Sequence, residues 1–152
     1  MKRFDFRLQP LLNYRTYLEQ IARQDTAKAR MDVMGSQKRI DSLKGTLAAS
    51  VGRMEEMVKK GVTALFFKQF TNYMEGIAFD MGNEIQKKAS LEKVLEEKIE
   101  ILKNKSKEKK SMELLREKKK QEYIQEMLKL EQKSLDEISS LKKAREISDA
   151  ME

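Results

Sequence analysis

The chain contains no cysteine, no histidine and no tryptophan, and it has one proline and six glycines in 152 residues. Without cysteine there is neither disulfide nor thiol chemistry. Without cysteine and histidine together, zinc sites, Ser-His and Cys-His nucleophiles and a near-neutral histidine base are excluded. A carboxylate-only magnesium or calcium site calls for an Asp-rich loop with a well-placed glycine, and the sequence has none. No enzymatic activity and no cofactor or metal is therefore expected. No stretch approaches the roughly eighteen apolar residues of a membrane span. Met1 to Leu12 also lacks the apolar run of a signal peptide, because Lys2, Arg3, Asp5, Arg7 and Gln9 interrupt it. These absences point to a cytoplasmic protein, at most peripheral to a membrane.

What is abundant is charge, 38% of all residues, against roughly a quarter in an average soluble protein. A compact core leaves such charges nowhere to go, whereas a slender helical rod accommodates them. From Asn83 to Glu152 there is neither glycine nor proline, so nothing tells a helix to stop. Apolar residues recur there three and four apart: Ile85, Leu91, Leu95, Ile99 and Leu102, then Tyr123, Met127, Leu130, Ile138 and Leu141. At about 1.5 Å per residue this helix is on the order of 100 Å long and needs a partner. The partner is the N-terminal third, where Leu18, Ala22, Thr26, Ala29, Val33, Ser36, Ile40, Leu43, Leu47, Ser50, Met54 and Met57 form a soft heptad seam. Charge pairs at helical spacing, Glu19 with Arg23, Glu55 with Lys59, Glu56 with Lys60 and Glu84 with Lys88, favour helix by tenths of a kcal/mol each. The expected fold is all-α, an antiparallel two-helix coiled-coil hairpin forming a single elongated domain over residues 1–152.

Phe4, Phe6 and Leu8 alternate with Asp5, Arg7 and Gln9, which suits an extended lead-in, and Pro10 fits the first turn of a helix. Helix 1 is expected over about 8–60, a turn at about 61–63 with Gly61 as left-handed stop and Thr63 as cap, and helix 2 over about 64–148. A turn between Gly76 and Gly82 is the alternative. With the earlier turn, facing residues have numbers adding to about 124. Phe4 then lies opposite about Lys120, and everything from Tyr123 onward is unpaired. The apolar start, Phe4 to Leu12, reads as a clasp onto helix 2, with a partner-binding patch or membrane association of Met1 to Leu12 as alternatives.

Between Leu102 and Met112 no apolar residue occurs. Lys103, Lys105, Lys107, Lys109, Lys110, Arg116, Lys118, Lys119 and Lys120 face three acidic residues, so this segment holds net +6 of the chain's +7. A solvated helix face is one reading and an acidic protein partner another. Because these lysines point all around the axis, they do not form the one-sided stripe that grips a phosphate backbone, and no nucleic-acid partner is expected. A basic coiled-coil module for nucleic acid remains the rival of another class. Aromatics cluster after the turn at Phe66, Phe67, Phe70, Tyr73 and Phe79. Part of this cluster closes the hairpin, and Phe66 and Phe70 are candidate docking residues.

Phe4-Asp5-Phe6-Arg7-Leu8-Gln9-Pro10-Leu11-Leu12 followed by Arg15 and Glu19, then Phe70 to Ile77, then Glu122-Tyr123 and Glu131 to Glu137, in this order and spacing, resemble the flagellar FliJ family. The resemblance implies a hairpin similar to the gamma-subunit stalk of rotary ATP synthases, in the bacterial flagellar type III export apparatus. It implies binding to the hexameric export ATPase, to the cytoplasmic part of the export gate's membrane protein and to export chaperones, with peripheral location at the inner-membrane apparatus. Tyr73 and Ile77 match the family's gate contact, and Asp80 and Glu84 on the next turn are more acidic than that surface leads one to expect. Tyr123, Met127, Leu130, Leu135 and Ile138 are the candidate contact with the ATPase ring. The stalk protein of a virulence type III secretion system shares these expectations.

Overall fold

The structure, a computed structural model, describes residues 3–151. It consists of two long helices packed against each other, α1 (Gln9–Lys60) and α2 (Ala64–Asp149), with no strand among the described residues. The fold is all-α, a two-helix hairpin. The chain reverses at Gly61, whose φ of 87° is the left-handed conformation that glycine adopts without strain. Its N–H donates to the Val58 carbonyl at 3.2 Å, closing α1. Thr63 opens α2: its Oγ1 accepts from the Phe66 N–H at 3.2 Å and its carbonyl from the Phe67 N–H at 3.0 Å. Gly61→Ala forces a side chain into φ > 0 and is expected to cost about 1 kcal/mol, measured as a lower thermal midpoint. Gly76 and Gly82 lie inside α2, so the chain runs straight through the second glycine pair.

Contacts divide the chain into two units, residues 18–105 and residues 3–17 with 106–151. In the first unit, Asp25 pairs with Lys98 at 3.5 Å and Arg39 with Glu84 at 3.8 Å, so numbers rise along α1 as they fall along α2. The helices are antiparallel. All twelve seam positions from Leu18 to Met57 are buried or half-buried, with Ala22, Thr26, Ala29, Ser36, Ile40, Ser50 and Met54 the most enclosed.

Small residues in that seam let the backbones approach. The Thr26 hydroxyl donates to the Ala22 carbonyl within α1 at 2.8 Å and reaches the Lys98 carbonyl of α2 at 3.2 Å. The Ser36 hydroxyl donates to Glu84 Oε1 at 2.8 Å. Glu84 thus turns toward α1, and Lys88 pairs instead with Glu92 at 3.4 Å. Facing helix 2 is not the apolar stripe read from the sequence throughout. Leu91, Leu95 and Leu102 are half-buried, but Ile85 and Ile99 are exposed and Glu84 and Lys98 take the inward places beside them. The Glu84 carboxylate is largely withdrawn from water and held by Ser36 and Arg39, whereas Lys98 stays more open and pairs with Asp25.

In the second unit, Phe6 and Leu12 are buried and Arg15 forms an ion pair with Glu108. The Phe4 ring meets Tyr123 at 5.7 Å, tilted by 52°. Tyr123 is therefore not unpaired. The lead-in before α1 is not helical: residues 3–6 carry no regular structure. A turn at Arg7 and Leu8, closed by the Gln9 N–H donating to the Phe6 carbonyl at 2.8 Å, joins them to α1. Phe4 is thus released from the helical register and meets α2 further along than that register predicts. Met1 and Lys2, part of the N-terminal membrane alternative, lie outside the described residues.

Candidate protein-docking surfaces

Two groups of side chains lack cover. The first is the turn end of residues 18–105. Phe66 stacks on Phe70 with centroids 6.1 Å apart and Phe70 meets Tyr73 at 5.9 Å, a ladder running along the edge of the seam. Phe70 is half-buried; Phe66, Phe67 and Tyr73 are exposed. Ile77 is only 8% exposed, while Tyr73, one turn earlier, is 52% exposed. Four residues turn a helix by about 400°, so the two differ by about 40° around the axis. That is enough to place Ile77 under α1 and Tyr73 on the rim.

The second group lies on α2 after the Phe4 clasp. Tyr123 and Met127 are half-buried, and every residue from Leu128 to Met151 is exposed. Leu130, Leu135, Ile138, Leu141 and Ile147 are large apolar residues among these. An amphipathic helix with an uncovered apolar side is suited to packing on another protein.

The lysine-rich segment, residues 103–120, is engaged in part. Lys109 and Lys110 both reach Glu113, at 3.9 and 3.8 Å, and Lys119 donates to Glu122 at 2.7 Å. That last hydrogen bond holds Lys119 above and Glu122 below their ordinary ionisation ranges. Lys105 and Lys109 are half-buried, whereas Lys103, Lys107, Lys110, Arg116, Lys118 and Lys120 are exposed. This mixture of engaged and solvated cations has no continuous stripe of free charge. Among the described residues no group of three or more acidic side chains gathers to hold a metal, and no helix is long and apolar enough to cross a membrane.

The described residues thus form a two-helix coiled-coil hairpin that leaves large apolar side chains uncovered at the turn end and from Leu128 onward. Residues 4–148 match the family described as the flagellar FliJ protein. The chain belongs to that family, whose members are associated with type III protein export. No curated protein matches the chain. Among solved structures it is similar to CT670 from Chlamydia trachomatis, described as a candidate YscO homologue, with a TM-score of 0.53 and 20% identity, covering 91% of this chain and 94% of that one. At that identity the likeness concerns the fold.

Proposed function

We propose that this protein is a non-enzymatic coupling component of the flagellar type III export apparatus. It binds the hexameric export ATPase through α2 from Tyr123 to Ile138, meets the cytoplasmic part of the export gate through the turn-side rim at Tyr73, and engages export chaperones. The family match over nearly the whole chain carries this reading. The uncovered apolar side chains from Leu128 onward and the exposed rim aromatics support it. In this scheme Ile77 acts by holding the Tyr73 turn on α1, and Glu84, drawn to Ser36 and Arg39, is withdrawn from the rim while Asp80 stays exposed.

The test is a pull-down against the export ATPase and, separately, the gate's cytoplasmic domain. Truncation after Gln121 should abolish ATPase capture and leave gate capture intact. Tyr73→Ala should do the reverse with an unchanged melting profile, because the side chain is half in water. Ile77→Ala should weaken gate capture only together with a loss of roughly 2 kcal/mol of stability from the cavity it leaves. Capture of both partners by all three variants would overturn the assignment. The fold shared with a YscO homologue makes the virulence-type stalk protein the rival, and exchange of this chain into a motile strain lacking its own flagellar counterpart separates the two by swimming.

A further inference from the structure

The turn end has a composition found nowhere else in the chain. From Met57 to Met74 there are eighteen residues with three lysines, Lys59, Lys60 and Lys68, and no acidic residue. All three lysines are exposed, and between them Val62, Leu65, Phe66 and Phe67 stand in solvent, Leu65 at 68% and Phe67 at 47%. We propose that this end inserts into the interface of an anionic lipid bilayer.

The arrangement of the apolar side chains selects this occupant over a protein. A groove on a folded partner reads one helix face, through residues three, four and seven apart. Leu65, Phe66 and Phe67 are consecutive in the first turn of α2, so they leave the axis in three directions about 100° apart. A rigid groove covers one or two of them. A fluid apolar layer entered end-on covers all three together with Val62. Leucine and phenylalanine are suited to the acyl boundary, and lysines set just behind them extend to the headgroups. Lys59, Lys60 and Lys68 each lie about a turn or more nearer the chain reversal than Glu55, Glu56 and Glu75, so the charge foremost at this end is positive. It matches an anionic leaflet, which attracts each nearby lysine by roughly a fivefold gain in partitioning at low salt. Thr63, capping α2 through the Phe66 N–H, holds the first turn in place so that little ordering remains to be done on insertion. This property stands apart from the proposed role in export and needs no apparatus component to be seen.

The chain has no tryptophan, so Phe67→Trp introduces a single reporter at the turn end. Its emission should shift to the blue and be quenched by brominated acyl chains in vesicles of phosphatidylcholine with phosphatidylglycerol, and neither should occur with phosphatidylcholine alone. Tyr14→Trp, an exposed site in the other unit, should show neither effect. Changing Lys59, Lys60 and Lys68 to serine should lower partitioning into the anionic vesicles by about a hundredfold at low salt while leaving helix content unchanged. Vesicle binding without quenching at position 67 would mean adsorption of a basic protein, or a surface made for an acidic protein, and would overturn the proposal. Equal quenching at position 14 would overturn it too.

Discussion

Changing Gly35, Gly45, Gly52, Gly76 and Gly82 together to alanine should raise the thermal midpoint by on the order of 10 °C. All five lie inside helices, where glycine costs about 1 kcal/mol relative to alanine through the backbone entropy it loses on folding. A methyl group built at any of them meets nothing within 4 Å, so no steric penalty offsets the gain. The sites share no partners, and gains at separate sites add to within tenths of a kcal/mol. The combined effect is therefore about 4 kcal/mol, a large fraction of the stability of an ordinary domain. Calorimetry or a circular dichroism melt measures it directly. An unchanged or lower midpoint would show that the helices need local give at these points, and that the glycines are kept for motion. Gly61 must be left out of the set, because its positive φ reverses the sign.

The seam on α1 was legible in the sequence because its small and apolar residues keep strict steps of three and four, and all twelve positions are withdrawn from water. Its partner face on α2 was legible only in part. Hydrophobicity selected Ile85 and Ile99, each one residue past the inward-facing Glu84 and Lys98. The reason lies on the opposite helix: Ser36 gives the Glu84 carboxylate a hydroxyl donor, and the Thr26 hydroxyl reaches the Lys98 backbone carbonyl while Asp25 pairs with its ammonium. Pairwise complementarity of this kind does not show in the periodicity of either helix alone. The candidate docking residues divide in the same way. Tyr73 and Ile77 share a stripe on paper, and only the position of α1 decides that one is exposed and the other buried. For Tyr123, the non-helical segment and turn before α1 changed the partner, and the alternating pattern of Phe4, Phe6 and Leu8 held the signal that this segment is not helix.

Ile40→Asp should remove about 3–5 kcal/mol and melt much of the helix formed by residues 18–105 at room temperature. Polar groups are plentiful in this seam, so the prediction turns on why this one is not tolerated. Glu84 is accepted because the Ser36 hydroxyl donates to it and Arg39 lies 3.8 Å away. Lys98 is accepted because its side chain stays 37% exposed and its ammonium lies 3.5 Å from the exposed Asp25 carboxylate. Ile40 is 4% exposed, and with Glu84 already drawn to the neighbouring Arg39, a carboxylate at position 40 meets like charge and no free donor. An uncompensated buried charge costs several kcal/mol, more than any cavity that alanine leaves there. Asparagine at position 40 should recover part of the loss, since it removes the charge and keeps the shape. Lys98→Leu should instead add roughly 1 kcal/mol, because an exposed ion pair is worth less than buried leucine area. It should also promote self-association, detectable by sedimentation, since charges in a coiled-coil seam discriminate against wrong pairings. Equal stability of the Ile40→Asp and Lys98→Leu variants would mean that the seam is wet throughout and that helix propensity, rather than packing of α1 on α2, holds the two helices in form.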